Sequence, residues 1–194
     1  MSIGLLIVVS GPSGVGKGTI CTALRKEDEE LIYSVSATTR NKRDGEIDGV
    51  NYFFLSKEEF LEKIRAGAFL EWAEVYGNYY GTPKWHIDNQ LASGKNVLLE
   101  IDMQGALQVK KAYPASVLIF ILPPSEEVLA ERLTGRGTDA PEVIEKRLAC
   151  WAQEKQMLPQ YDYAVVNDTV ENAVTKVKHI ISAESCSVKR MENL

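Results

Sequence analysis

The chain has 194 residues, 45% of them hydrophobic and 25% charged, enough for one sizeable core but short for two large independent domains. Its formal net charge of −5 argues against a protein that meets nucleic acid or an anionic membrane with its whole surface. Any anionic ligand must then be held by a local cluster of Lys and Arg.

An apolar, β-branched run over residues 3–10 leads directly into GPSGVGKGT. It predicts a buried parallel strand feeding a helix over residues 17–28. NVLLEID (96–102) and SVLIFILPP (116–124) repeat the strand-then-helix pattern. DYAVVND (162–168) leads into an amphipathic closing helix with Thr169 as N-cap. This alternation predicts an α/β fold, a parallel sheet covered on both faces. Residues 34–80 break the rhythm. There NYFFL reads as a short strand and SKEEFLEKIRAG as a short helix. Ser56 and Glu59 have capping-box spacing, and Gly67 lies at the helix end. This predicts a small α/β insertion. TGRGTDAP (134–141) predicts a mobile loop, with Pro141 opening a helix that reaches about Leu158. Residues 185–194 form a polar tail expected to fray.

The apolar runs fall well short of the roughly 20 residues that span a bilayer. Only two residues precede the first, leaving no basic segment for a signal peptide. Cys21, Cys150 and Cys186 show neither pairing nor zinc spacing, and His86 and His179 form no ligand motif. A reducing, cytoplasmic setting is expected, with no membrane and no nucleic-acid partner. Nothing in the sequence fixes an oligomeric state.

The loop Gly11, Pro12, Ser13, Gly14, Val15, Gly16, Lys17, Gly18, Thr19 fits G-x-x-x-x-G-K-[ST] except at its last position, where Gly18 stands in place of a hydroxyl. Glycines let backbone N–H groups turn toward an anion, the following helix points its positive end there, and Lys17 reaches terminal phosphates. Thr19 either supplies the missing hydroxyl, to a phosphate or to a metal through water, or only satisfies the first helical turn. Arg40 and Arg43 lie in a polar segment with Ser36 and Tyr52. They read either as a second anion site, since arginine forks match phosphate oxygens, or as a solvated charged loop.

Taken together, SGPSGVGKGT, SVSATTRNKRDGEIDGVNYFF, FLEWAEVYGNYYGT, LLEIDMQGA, RLTGRGTDAPEVIEKRL and YDYAVVND, in that order, resemble guanylate kinase, the P-loop nucleoside-monophosphate kinase family. The resemblance runs over about residues 6–181. It implies a P-loop core (1–33, 83–131 and 148–194), a GMP-binding insertion (34–82) and a helical lid (132–147). It implies reversible, magnesium-dependent transfer of the ATP γ-phosphate to GMP or dGMP, in purine nucleotide metabolism. The loop residues 11–19 and Asn167 would bind ATP. Arg40, Arg43, Tyr52 and Tyr80 would hold the GMP phosphate, with Glu46 ordering the arginines. Ser36, Glu71, Thr82 and Asp102 would face the base. Guanine presents adjacent N1–H and N2–H donors that a carboxylate such as Glu71 accepts together, and adenine lacks that pair. Thr82 would donate to the guanine O6. Lys17 would follow the transferred group, and Arg40, Arg136 and Arg147 would neutralise its charge, a role in which arginines are worth on the order of 10³–10⁵ in rate; Arg132 is a weaker candidate. No direct protein ligand to magnesium (Mg2+) is expected, with Thr19, Glu100 and Asp102 acting through water.

Without the family, Glu71 reads as an ordinary exposed carboxylate, Thr82 as the cap of a helix over 83–93, and Tyr79 and Tyr80 as core aromatics. Glu100 and Asp102 read as solvated acids at a strand end. Two rival functions stand beside the first: a nucleoside-monophosphate kinase for another base, and a catalytically silent domain that binds phosphoprotein partners.

Overall fold

The computed structural model describes residues 4–43, 45–75, 77–135, 147–151 and 154–190. Arg136, Pro141 and most of the segment 132–147 lie outside them. Two sheets organise the described chain. The first is wholly parallel, in the order β2 (Ile32–Tyr33), β7 (Val97–Glu100), β1 (Leu6–Ser10), β8 (Val117–Leu122), β9 (Tyr163–Val166). Central β1 pairs with β7 through Leu6↔Val97 to Val9↔Glu100, and with β8 through Ile7↔Val117 to Ser10↔Phe120. The strand at residues 32–33 is missing from the sequence reading. It is two residues long, too short for any periodicity to register.

The unbroken apolar runs follow from burial on both faces. Ile7 and Val9 pack with Ile20 and Leu24 of α1 (Lys17–Glu27), Leu129 and Leu133 of α5 (Glu126–Thr134), and Val174 and Val177 of α6 (Val170–Ser185). Leu6 and Val8 point the other way, onto Ile87 and Leu91 of α3 (Lys84–Ala92) and Ala106 and Val109 of α4 (Met103–Ala112). Each of these Val, Leu and Ile side chains contributes roughly 1.5–3 kcal/mol on burial. Thr169 caps α6 by accepting from Asn172 N, as its position predicts. Leu158, expected to end a long helix, instead opens a short 3-10 turn, Leu158–Gln160. Pro159 follows, which restricts the helical conformation of the residue before it.

The second sheet runs β4 (Phe53–Phe54), β3 (Ala37–Thr38), β6 (Asn78–Pro83), β5 (Phe69–Val75). Helix α2 (Lys57–Arg65) begins with the predicted capping box. Glu59 N donates to Ser56 Oγ at 3.1 Å, and Ser56 N donates to Glu59 Oε2 at 2.8 Å. Ser56→Ala is therefore expected to cost about 1 kcal/mol of stability, read as a lower urea midpoint, with catalysis unchanged. Parallel strands deliver their carboxyl ends to one edge of the core. There Ser10 enters the glycine loop, Glu100 ends β7, and Asn167 follows β9, the place where open α/β sheets bind ligands.

Candidate active site

Gly16, at φ 97°, forms the N-cap of α1 and offers no side-chain cap, leaving the first amides of the helix for an anion. A Cβ there would meet Asn167 Nδ2 at 2.6 Å, and one at Gly11 (φ 145°) would meet the Ile121 carbonyl oxygen at 2.5 Å. The loop thus needs glycine for conformation and for space at both positions. Lys17 Nζ donates to the carbonyls of Gly11 at 2.6 Å and Pro12 at 3.0 Å. Burial pushes its pKa down, opposed by the nearby carboxylates of Glu100, Glu154 and Asp102.

Two groups tie the loop from outside. Asn167 Nδ2 donates to the Val15 carbonyl at 2.7 Å, and Arg132 donates to that carbonyl at 3.3 Å and to the Asn167 carbonyl at 3.1 Å. The Asn167 side chain therefore shapes the loop. Arg147 Nη1 donates to Ser13 Oγ at 2.8 Å. Gly14, Gly16, Thr19 and Asn167 line a cavity of about 590 Å³ with Arg132 and Asp168. Gly18 is exposed, and a Cβ on it would lie 3.4 Å from Glu100 Oε1.

Across the edge, Lys17, Ser36, Tyr52, Glu71, Tyr80, Glu100 and Asp102 line a second cavity of about 250 Å³, together with Ala73, Val75 and Ile101. Glu71 and Thr82 are register partners on β5 and β6, and both are buried. Thr82 Oγ1 donates to Glu71 Oε1 at 2.5 Å, so its proton goes to the carboxylate and not outward to a ligand. Neither ordinary reading of the pair survives: Glu71 is only 5% exposed, and α3 is capped at Pro83 with no side-chain bond. Burial pushes the Glu71 carboxyl up to about 7, with Asp102 adding to the effect and the Thr82 hydroxyl opposing it. Asp102 caps α4 by accepting from Gly105 N at 2.8 Å, which engages one of its oxygens within the helix.

Arg40 and Glu46 form a bidentate pair at 2.7 and 3.0 Å, and Arg43 N donates to Glu46 Oε2 at 2.7 Å. These bonds hold the Glu46 carboxyl down to about 2. The Arg40 guanidinium lies 5.4 Å from the Tyr52 ring centre, and Tyr52 meets Tyr80 edge-on at 6.1 Å. Arg43 itself is exposed. Sequence reasoning missed Tyr33, whose hydroxyl donates to Glu100 Oε2 at 3.1 Å.

A glycine loop between a central parallel strand and a helix, with acids at the next strand end, defines a P-loop NTPase-type fold. A gluconokinase from Sinorhizobium meliloti shares the fold at a TM-score of 0.50 and 18% identity, each chain covered in full. The guanylate kinase family model matches residues 4–184. The guanylate kinase of Halalkalibacterium halodurans is 54% identical over 97% of this chain and 92% of its own. That of Clostridium perfringens is 56% identical over 98% and 89%. The crystal structure of guanylate kinase from Anaplasma phagocytophilum superimposes with a TM-score of 0.80 at 36% identity, covering 97% of this chain and 90% of that one. The chain belongs to the guanylate kinase family.

Proposed function

We propose that the chain transfers the ATP γ-phosphate to GMP or dGMP, reversibly and with magnesium, using the two cavities as its two nucleotide sites. The observation that carries this reading is buried Glu71, which accepts from Thr82 and lines one cavity with Lys17 of the phosphate loop. A carboxylate in that setting matches the paired N–H donors of guanine, and a base without them leaves it buried and unpaired.

Residues 11–19 and Asn167 form the ATP side, with Asn167 acting through the loop and through its backbone. Arg40, Arg43, Tyr52 and Tyr80 take the GMP phosphate. Glu46 presents Arg40 in a fixed fork, which lowers the ordering cost of binding. Ser36, Glu71, Thr82 and Asp102 surround the base. The attacking phosphate oxygen of GMP approaches the γ-phosphate in line, with no covalent enzyme intermediate. Lys17 leaves its two carbonyl partners to follow the transferred group. Arg40, Arg136 and Arg147 neutralise charge on the oxygens between the nucleotides; for Arg136 this rests on the family motif alone. Closure of the insertion and lid over the site excludes water.

Kinases of this kind work with a divalent metal bound to ATP. Thr19, Glu100 and Asp102 offer hydroxyl and carboxylate oxygens, the hard donors magnesium takes, and magnesium usually fills its remaining positions with phosphate oxygen and water. These three would hold it through water, and it would supply charge neutralisation on the β- and γ-phosphates. No described helix is long and apolar enough to cross a membrane.

The test is ADP formation from ATP with GMP, dGMP, AMP, UMP or dTMP, at varied magnesium. Turnover confined to GMP and dGMP and dependent on magnesium is expected. Turnover of AMP equal to that of GMP would overturn the reading.

A further inference from the structure

Helix α4 carries a buried glycine, Gly105, in its first turn. Glycine there weakens a helix relative to alanine. Gly105 has no left-handed backbone to justify it, since it is absent from the positive-φ glycines of the described residues. Space is the remaining reason. A Cβ on Gly105 would stand 2.7 Å from Glu71 Oε2, 3.2 Å from Glu71 Cδ and 3.3 Å from Ile101 Cδ1.

A carboxylate can usually swing away from such an approach, but this one is held. Thr82 fixes its other oxygen at 2.5 Å. The strand behind it is tied to the same helix: Trp72 N donates to Gln108 Oε1 at 3.2 Å, and Gln108 Nε2 donates to the Trp72 carbonyl at 3.1 Å. Strand β5 therefore cannot slide along α4 to make room. The side chain that must give is the acid facing the cavity.

We infer that Gly105 is a specificity-positioning residue of the monophosphate site: its missing side chain is the space in which the Glu71 carboxylate is presented to the base. This rests on Glu71 being the guanine-facing acid. Alanine at 105 displaces the carboxylate from the guanine N1 and N2 edge without touching the phosphate loop, so the damage falls on GMP and not on ATP.

The experiment compares wild type, Gly105→Ala, Glu71→Ala and the double variant. It uses calorimetric titration with GMP and with IMP, whose base lacks the N2 amine, the KM for ATP, and thermal melts. Gly105→Ala is expected to weaken GMP binding about tenfold or more, to shrink the preference for GMP over IMP, and to leave the KM for ATP within about twofold. In the Glu71→Ala background, adding Gly105→Ala should change GMP binding less than about twofold, because the group it displaces is gone. If Gly105→Ala binds GMP like wild type while Glu71→Ala does not, the inference fails and the role of Glu71 stands. If Glu71→Ala binds GMP like wild type, both fail. If Gly105→Ala does not fold but the double variant does, the clash is with the carboxylate, as inferred. If neither folds, other neighbours impose the glycine and the inference is wrong.

Discussion

Replacing Lys17 by methionine is expected to lower kcat by about 10³-fold, the scale of losing one preorganised charge donor at a reacting phosphate, and to retain GMP binding. The lysine emerges at the start of α1 from a loop whose glycines bring its Nζ onto the Gly11 and Pro12 carbonyls. Methionine keeps the length and apolar stem but supplies neither bonds nor charge. The same burial that lowers the lysine's pKa makes anionic phosphate its natural partner, because a desolvated ammonium gains most from an opposite charge. Steady-state ADP formation and a GMP titration on one preparation separate the effects. Unchanged ADP production would remove Lys17 from the chemistry. Lost GMP binding would mean that Lys17, which also lines the second cavity, holds the monophosphate as well.

Glu71→Gln is expected to raise the KM for GMP on the order of 100-fold, the scale of losing a hydrogen-bonded charge at a buried site, with a smaller change in the KM for ATP. The substitution also removes a pH dependence whose sign is fixed by burial. The Glu71 carboxyl is pushed up to about 7 from its ordinary 4.5, so the folded protein holds this proton more tightly than the unfolded chain does. Its contribution to stability is full below about 4.5 and is lost as pH rises through about 7. With the carboxylate as the proposed partner of guanine, GMP affinity is expected to run the opposite way, rising toward pH 7 and levelling above it. Glutamine does not titrate. The variant should melt higher than wild type at pH 8, and its GMP affinity should lack the rise that belongs to Glu71. A variant that melts lower at pH 8 would show that Glu71 is not a strained acid.

The parts of this site legible in the sequence are those carried by neighbouring residues. The β1–loop–α1 unit stands in one continuous stretch, Leu6 to Glu27, and the Ser56–Glu59 capping box and the Thr169 cap each join residues three positions apart. What was not legible depends on register across the sheet. Nothing near Glu71 says that Thr82 lies opposite it, because that pairing is made by the β5–β6 ladder. Thr82 beside Pro83 carries an equally good helix-start signal, and only the strand pairing decides between them. Tyr33 lies 67 residues from Glu100, on a strand too short to show alternation. The place of Asn167 after the last core strand was legible, but not the bond its amide makes 152 residues back, to the Val15 carbonyl.

In the proposed reaction the glycine loop moves the phosphate and a buried acid, Glu71, chooses the base. The measurement that tests this most directly is calorimetric titration of GMP into wild type and Glu71→Gln at pH 6 and pH 8. The GMP phosphate also titrates near pH 6, but equally for both proteins, so their difference isolates Glu71. Tight wild-type binding that gains more from pH 6 to pH 8 than the variant gains is expected, with weak binding by the variant at both. Wild-type affinity in Glu71→Gln, with the same pH dependence, would contradict it.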